Sequence, residues 1–403
     1  MKTYKTELDP NNVQVTAMRQ HCGAARWAYN WGLERIKEAA ERGEKWPTAI
    51  DLHRQLNAMK GTDALPWGYA VSKCAFQEAL RNLDMAVRNW RDSRSGKRAG
   101  RKVSFPRRKT RKRGLGSCRF TGTIRVFDGQ VQLPRIGVVR LKEHGYIPAG
   151  LYGQATISEQ AGHWFVSIAC EADPVVTVLT EDVVGVDVGI KTLAVCSDGA
   201  TFANPKALTA KTKQLRRWQR RLSRRKKGSE NRAKARIQVA KLHKQVADVR
   251  RDAHHKAAKA IVDKRPSVIV IEDLNVKGMF KNRRLARSLS DAAFGQFGRI
   301  LSDKAEDCGI QIVRAGRFFA SSKTCSCCGW KNEGLMLADR TFVCGNCGLT
   351  LDRDLNAAVN LKHTVSSTGI NACGDRVSPA SDGQAVIGEA GTLSQMFIDG
   401  IFA

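Results

Sequence analysis

The order of apolar and polar positions divides the chain before its composition is considered. Residues 1–8 alternate with the two-residue period of a strand, and Pro10, Asn11 and Asn12 make a turn. From Val13 the pattern becomes helical, through Val15, Met18, His21, Cys22, Ala25, Trp27, Ala28, Trp31 and Ile36, and a second helical stretch covers 72–90. The tryptophans of this helical region, 13–90, are expected in its core. Short strands are predicted at 121–127, 130–133, 137–141, 154–158 and 164–170, with Asp128-Gly129 as a hairpin turn. They imply a small barrel or sheet. A linker is expected over 172–181.

A β-branched run follows at 183–190, interrupted by one carboxylate, Asp187, with a second strand at 192–195. Residues 211–256 read as a helical hairpin broken near Gly228, its stripe carried by Leu215, Trp218, Leu222, Val239, Leu242 and Val246. A buried-strand run, 268–271, ends on Glu272. The pattern then predicts one helix over 289–307, a strand over 310–313 and an acidic helix start at 352–360. The segment 365–403 is rich in Gly, Ser and Ala and is expected to be poorly ordered. Strands and helices mixed in this way make an α/β, multidomain chain.

Charge narrows the partners. Lys plus Arg number 68 against 38 Asp plus Glu, a net charge of +30 over 403 residues. Residues 91–113 hold 12 basic side chains and one acid, and 211–256 hold 18 with three acids. Such an excess fits a nucleic acid, with Arg107, Arg108, Lys109 and Arg111 in the first run and Arg216, Arg217, Arg220 and Arg221 in the second as candidate phosphate contacts. No apolar run approaches the roughly 18 residues of a membrane span, and the N-terminus does not read as a signal peptide, so a cytoplasmic protein without a membrane partner is expected.

Two constellations carry chemistry. Cys325 and Cys328 form one C-x-x-C pair and Cys344 and Cys347 another, with 15 residues between the pairs. Four thiolates at this spacing make a closed, structural Zn²⁺ site, and Cys327 is a spare thiol. The second constellation is acidic. A carboxylate in an apolar strand is costly unless compensated, and a hard cation such as Mg²⁺ compensates it. Asp187, Glu272 and the acids at 352–354 each lie where an element begins or ends. Three such carboxylates suit two-metal phosphodiester hydrolysis. From the residues alone, either Asp352 or Asp354 could bind metal while the other caps the helix. Asp273 is expected on the opposite face of its strand from Glu272.

The motifs VGVDVGIKTLAV, VIVIEDLNV, FFASSKTCSCCG, VCGNCG and DRDLNAAVNL, in that order, resemble those of the TnpB family, proteins of insertion sequences related to compact type V CRISPR effectors. Residues 104–109, 157–171 and 288–309 resemble further family segments, so the likeness extends to about residue 364. It implies an RNase H-like (RuvC-type) nuclease domain with an inserted zinc ribbon, plus an N-terminal β-barrel (wedge) and a helical recognition subdomain. The implied boundaries are 1–12 for the first wedge strand, 13–100 for the recognition helices and 101–178 for the wedge. The nuclease domain takes 179–321, including a basic hairpin at 208–262, and resumes at 351–364 after a target-binding zinc ribbon at 322–350; 365–403 is the tail. The family pattern implies Asp187, Glu272 and Asp354 as the Mg²⁺-binding catalytic triad. It also implies a transposon-derived guide RNA, one protein chain per RNA, double-stranded target DNA and cleavage beside a short flanking motif in the prokaryotic nucleoid. The competing readings are a compact type V CRISPR effector, a strand-transferring transposase and a non-catalytic zinc-containing regulator.

Overall fold

The computed structural model describes residues 2–111, 114, 116–171, 177–317, 319–336 and 338–367. Half of the predicted linker, 172–176, and most of the tail, with Lys112 and Arg113 of the first basic run, lie outside the described residues. The chain forms two compact units. One comprises Met1–Val178, Asn204–Arg265 and Val276–Gly309; the other comprises Leu179–Ala203, Pro266–Asn275 and Ile310–Ala403.

The first unit contains a closed six-stranded barrel. Its strands are β1 (Lys2–Asp9), β2 (Ser117–Phe127), β3 (Gln130–Leu133), β4 (Gly137–Leu141), β5 (Gly150–Gln160) and β6 (His163–Cys170), in spatial order β1-β4-β3-β2-β5-β6. β1 closes it by pairing antiparallel with both β6 and β4, which leaves no exposed edge. The strict alternation of β6 puts Trp164, Val166, Ile168 and Cys170 inside. The Asp128-Gly129 turn forms as expected, with Gly129 at φ 69°.

Three helices follow, α1 (Asn12–Glu41), α2 (Ala49–Met59) and α3 (Lys73–Arg94); α1 and α3 pack on the barrel at β2, and α2 packs on α3. The predicted turn at 10–12 is the cap of α1. Asn11 accepts the Gln14 N–H at 2.9 Å and Gln14 returns the bond to the Asn11 N–H at 3.0 Å. The buried stripe of α1 runs Met18, Cys22, Ala25, Tyr29, Leu33, Ile36. Gly32 lets α3 approach, since a Cβ there would lie 2.7 Å from Leu80 Cδ2. The tryptophans expected in the core sit at its margin instead: Trp27, Trp31, Trp46 and Trp90 are half-buried, Trp27 stacking on Trp31 and meeting Phe76 edge-on, and Trp67 is 40 % exposed.

The basic hairpin, α4 (Ala207–Arg224) and α5 (Glu230–Val262), turns at Gly228, which has φ 89°. After strand β10 of the second unit, described below, come α6 (Val276–Met279), α7 (Ala286–Ala292) and α8 (Phe294–Asp307). The single helix predicted over 289–307 is therefore broken at Ala293, a left-handed residue at φ 50°. The break places buried Asp291 at the start of α4, where it accepts N–H groups of Leu208 at 2.8 Å and Thr209 at 2.9 Å. α4 begins at left-handed Lys206, which makes no side-chain cap, and Asp291 supplies one from 83 residues away. His254 on α5 donates from Nε2 to the Ala292 carbonyl at 3.1 Å and holds the same corner.

The second unit holds a five-stranded sheet of β7 (Val183–Val188), β8 (Thr192–Cys196), β9 (Thr201–Ala203), β10 (Val268–Glu272) and β11 (Gln311–Ala315). The order is β11-β10-β7-β8-β9; β7, β8 and β9 are antiparallel neighbours, whereas β10 and β11 run parallel to β7. A short hairpin, β12 (Thr341–Val343) and β13 (Thr350–Asp352), leads into the last helix, α9 (Arg353–Ser367). Leu361 of α9 packs with Val270 and Ala315 over the sheet.

Candidate metal centres

The acidic centre is built where parallel strands end. In the register of β7 and β10, Val186 pairs with Ile271, so the next residues, Asp187 and Glu272, stand side by side at the carboxyl ends. That edge of a parallel sheet is where such folds bind ligands. The third acid arrives on α9, which lies directly on β7. A Cβ on Gly185 would sit 2.0 Å from the Ala358 carbonyl oxygen and 2.6 Å from the Lys362 nitrogen, so only glycine fits. This close approach brings Asp354, in the first turn of α9, to Asp187.

Electrostatics record the convergence. The Asp187 carboxyl is pushed up to about 8, first by burial, then by the negative charges of Glu272 and Asp354, with Arg353 and the Val188 N–H acting in the opposite sense. Oxygen donors held together against mutual repulsion suit a hard divalent cation. Glu272 is oriented by a hydrogen bond from the Ser321 hydroxyl. Asp354 lies 3.9 Å from Arg353 Nε.

The two neighbouring acids face elsewhere. Asp352 Oδ1 accepts the N–H groups of Asp354 at 2.9 Å and Leu355 at 3.2 Å, capping α9. Asp273 accepts from Arg317 Nη2 at 2.7 Å.

The sulfur centre is a closed set. Among the described residues, the ligand atoms of Cys325, Cys328, Cys344 and Cys347 all lie within 4.8 Å of one another, and the carboxylates form no set so tight. Cys325 and Cys347 sulfurs are 3.7 Å apart and those of Cys328 and Cys344 3.5 Å, close to the ~3.8 Å edge of a tetrahedral zinc–thiolate site. The two halves repeat one turn. The Gly329 and Gly348 N–H groups donate to the carbonyls of Cys325 and Cys344, at 3.0 and 3.1 Å. Cys325 and Cys344 in turn donate to Trp330 and Leu349, at 2.7 and 2.9 Å. Cys327 is exposed and outside the set.

Sequence reasoning missed what joins the two centres. Asn356 and Asn360, both buried on α9, hold the first knuckle by its backbone. Asn356 accepts the Ser326 N–H at 3.0 Å and donates to the Thr324 carbonyl at 2.7 Å; Asn360 donates to the carbonyls of Ser321 at 2.7 Å and Thr324 at 2.6 Å. The signal was two asparagines four residues apart on the apolar face of DRDLNAAVNL.

The candidate phosphate contacts lie on the first unit. Arg107, Arg108, Lys109 and Arg111 are exposed. Arg108 pairs with Glu34 at 3.1 Å. Arg216, Arg217, Arg220 and Arg221 are exposed along α4 and, with Lys213 and Arg224, line a depression of about 370 Å³.

Family models match three stretches: one described as a probable transposase over residues 150–283, a Cas12f1-like TNB domain over 294–361, and a helix-turn-helix domain over 1–45. In the last stretch the described residues form a strand and a single 30-residue helix, so the geometry departs from that description. A Streptomyces pristinaespiralis protein described as "Putative RNA-guided DNA endonuclease" is 33% identical, the match covering 94% of this chain and 92% of that one. A Mycobacterium tuberculosis protein and an Escherichia coli protein, described in the same terms, are 30% and 29% identical over 97% and 94% of this chain and 92% and 95% of their own. A solved CRISPR-Cas12f ternary complex aligns with a TM-score of 0.37 and 15% identity, over 86% of this chain and 81% of that one.

Proposed function

From the premise that the chain belongs to the TnpB family, we propose that it is an RNA-guided DNA endonuclease whose RuvC-type, RNase H-like domain carries Asp187, Glu272 and Asp354 as catalytic metal ligands. The carrying observation is the convergence of these three carboxylates at the ends of β7 and β10 and the start of α9, with Asp187 pushed up to about 8 first by burial and then by its acidic neighbours. The strand order β9-β8-β7-β10-β11, three antiparallel strands followed by two parallel ones, supports the RNase H-like reading.

Asp187, Glu272 and Asp354 would hold Mg²⁺, which would supply an activated water and charge stabilisation for the leaving oxygen of a scissile phosphate. The chain itself contributes position. Ser321 holds Glu272, Gly185 admits α9, and the Asp352 cap leaves Asp354 available for metal. Zn²⁺ in the four-cysteine site is structural, because four thiolates leave no open coordination position. The basic faces hold backbone phosphates of a guide RNA derived from the transposon end, and base pairing selects the double-stranded DNA target beside a short flanking motif.

The test is to purify the full chain, sequence the RNA bound to it, and reprogram that RNA to a chosen target. Cleavage in Mg²⁺ that follows the new sequence is expected. Sequence-specific cutting by protein stripped of RNA overturns the reading.

A further inference from the structure

Three segments distant in sequence meet at the C-terminal end of α3. Trp46 comes from the connection between α1 and α2, Trp90 from near the end of α3, and Phe105 from the basic run that follows it. The two indoles stack, with centroids 5.9 Å apart and planes 18° from parallel. Phe105 meets both edge-on, at 6.1 Å from Trp46 and 5.0 Å from Trp90. Ser93 ties the same run to α3 by accepting the Val103 N–H at 2.8 Å. Stacked and edge-on rings of this kind hold one another in a defined geometry.

Each indole carries a guanidinium. The Arg91 Cζ lies 4.7 Å from the Trp46 centroid, and the Arg94 Cζ 5.6 Å from the Trp90 centroid. Three residues apart on one helix, the two arginines share a face. Both are exposed, and among the described residues no carboxylate pairs with either. Asp92, the one acid of the run, is one and two residues from them, spacings that do not face each other on a helix. A guanidinium over a ring keeps its N–H edge for hydrogen bonds, and little of its freedom is left to lose when a ligand arrives. Both arginines also complement the end of the helix dipole, a role that an ammonium fills equally well.

We propose that Arg91 and Arg94 form a prearranged guanidinium clamp for successive backbone phosphates of the bound RNA, with Trp46, Trp90 and Phe105 as its positioning residues. A planar fork fixed on a ring matches two oxygens of one phosphate, which an ammonium meets only as a point charge. An acidic side chain of a protein partner would satisfy one fork, whereas a strand offers phosphates in series to both. RNA is the polyanion that the free protein holds under the proposed function, and the inference rests on that part of it. It adds a demand for arginine over lysine that a solvated basic face does not make.

The test uses the full chain and the RNA that purifies with it. Arg91→Lys and Arg94→Lys keep the charge and the cations at the helix end. Each is expected to bind the RNA about tenfold more weakly, the scale of one lost charge-assisted hydrogen bond. The slope of affinity on salt concentration should stay unchanged in both, while Arg91→Ala lowers it by about one phosphate contact. Trp46→Leu leaves every charge in place and should weaken binding as Arg91→Lys does. Trp46→Phe should restore it, because a phenyl face still supports the guanidinium. Lysine variants that bind RNA as the wild type does overturn the proposal. So does a defect confined to the capture of target DNA by the preformed protein–RNA complex. Should Trp46→Leu lower the melting temperature, the lysine variants decide. Absence of RNA from the wild-type protein overturns the guide-RNA reading together with this inference, whereas RNA held equally by all variants removes this inference alone.

Discussion

Replacing Asp354 by alanine removes the carboxylate that α9 brings to Asp187, and cleavage in Mg²⁺ should fall by at least about a hundredfold, the scale of one lost charge-stabilising group. Asp187→Ala and Glu272→Ala should do the same, with RNA binding retained. Asp352→Ala is the contrast: it removes a cap, costs ~1 kcal/mol, and should still cut; a single-turnover assay beside a thermal melt separates the two outcomes. The sequence left that pair of acids open, because both are two-oxygen groups at a helix start and only backbone hydrogen bonds tell them apart. Asp187 and Glu272 were legible, since a carboxylate at the end of an apolar run has few structural uses. The importance of Gly185 was not legible. Its partners, Ala358 and Lys362, are more than 170 residues away in sequence. Gly185→Ala sets a Cβ against backbone that cannot rotate aside, so we expect a loss of about 3 kcal/mol or more, read as a lowered melting temperature with cleavage lost in parallel.

Elements were legible where the period was long and clean, as in the barrel strands and the basic hairpin. The break between α7 and α8 was not. Nothing in SDAAFGQF marks Ala293 as left-handed, because the corner is set by packing: Asp291 caps α4 and His254 holds the Ala292 carbonyl. Ala293→Gly removes the cost of a side chain at φ 50° and should stabilise the protein by about 1 kcal/mol, measured by denaturant unfolding. The same corner makes stability depend on pH. Burial lowers His254 from 6.5 to about 4. The unfolded chain therefore takes up a proton below pH 6.5 that the native imidazole refuses. The contribution is complete above that pH and is lost as pH falls toward 4, amounting to at most about 3 kcal/mol. His254→Gln should flatten this part of a stability-against-pH curve.

At the scale of the whole molecule, the charge of +30 pointed to a polyanion from composition alone. The clustering of the four cysteines was legible from spacing; their attachment to α9 was not. Asn356 and Asn360 grip the knuckle, Arg353 Nη1 donates to the carbonyls of Met336 at 3.3 Å and Asp339 at 3.2 Å, and β13 runs straight into the helix that carries Asp354. Elemental analysis should find about one zinc per chain, and Cys344→Ser should lose both the metal and cutting, with RNA still bound. The nutritional state of the cell then enters the chemistry. A protein made under zinc starvation would keep its guide yet leave the strands whole. Restoring the metal to such a preassembled complex should start the cut without any new synthesis.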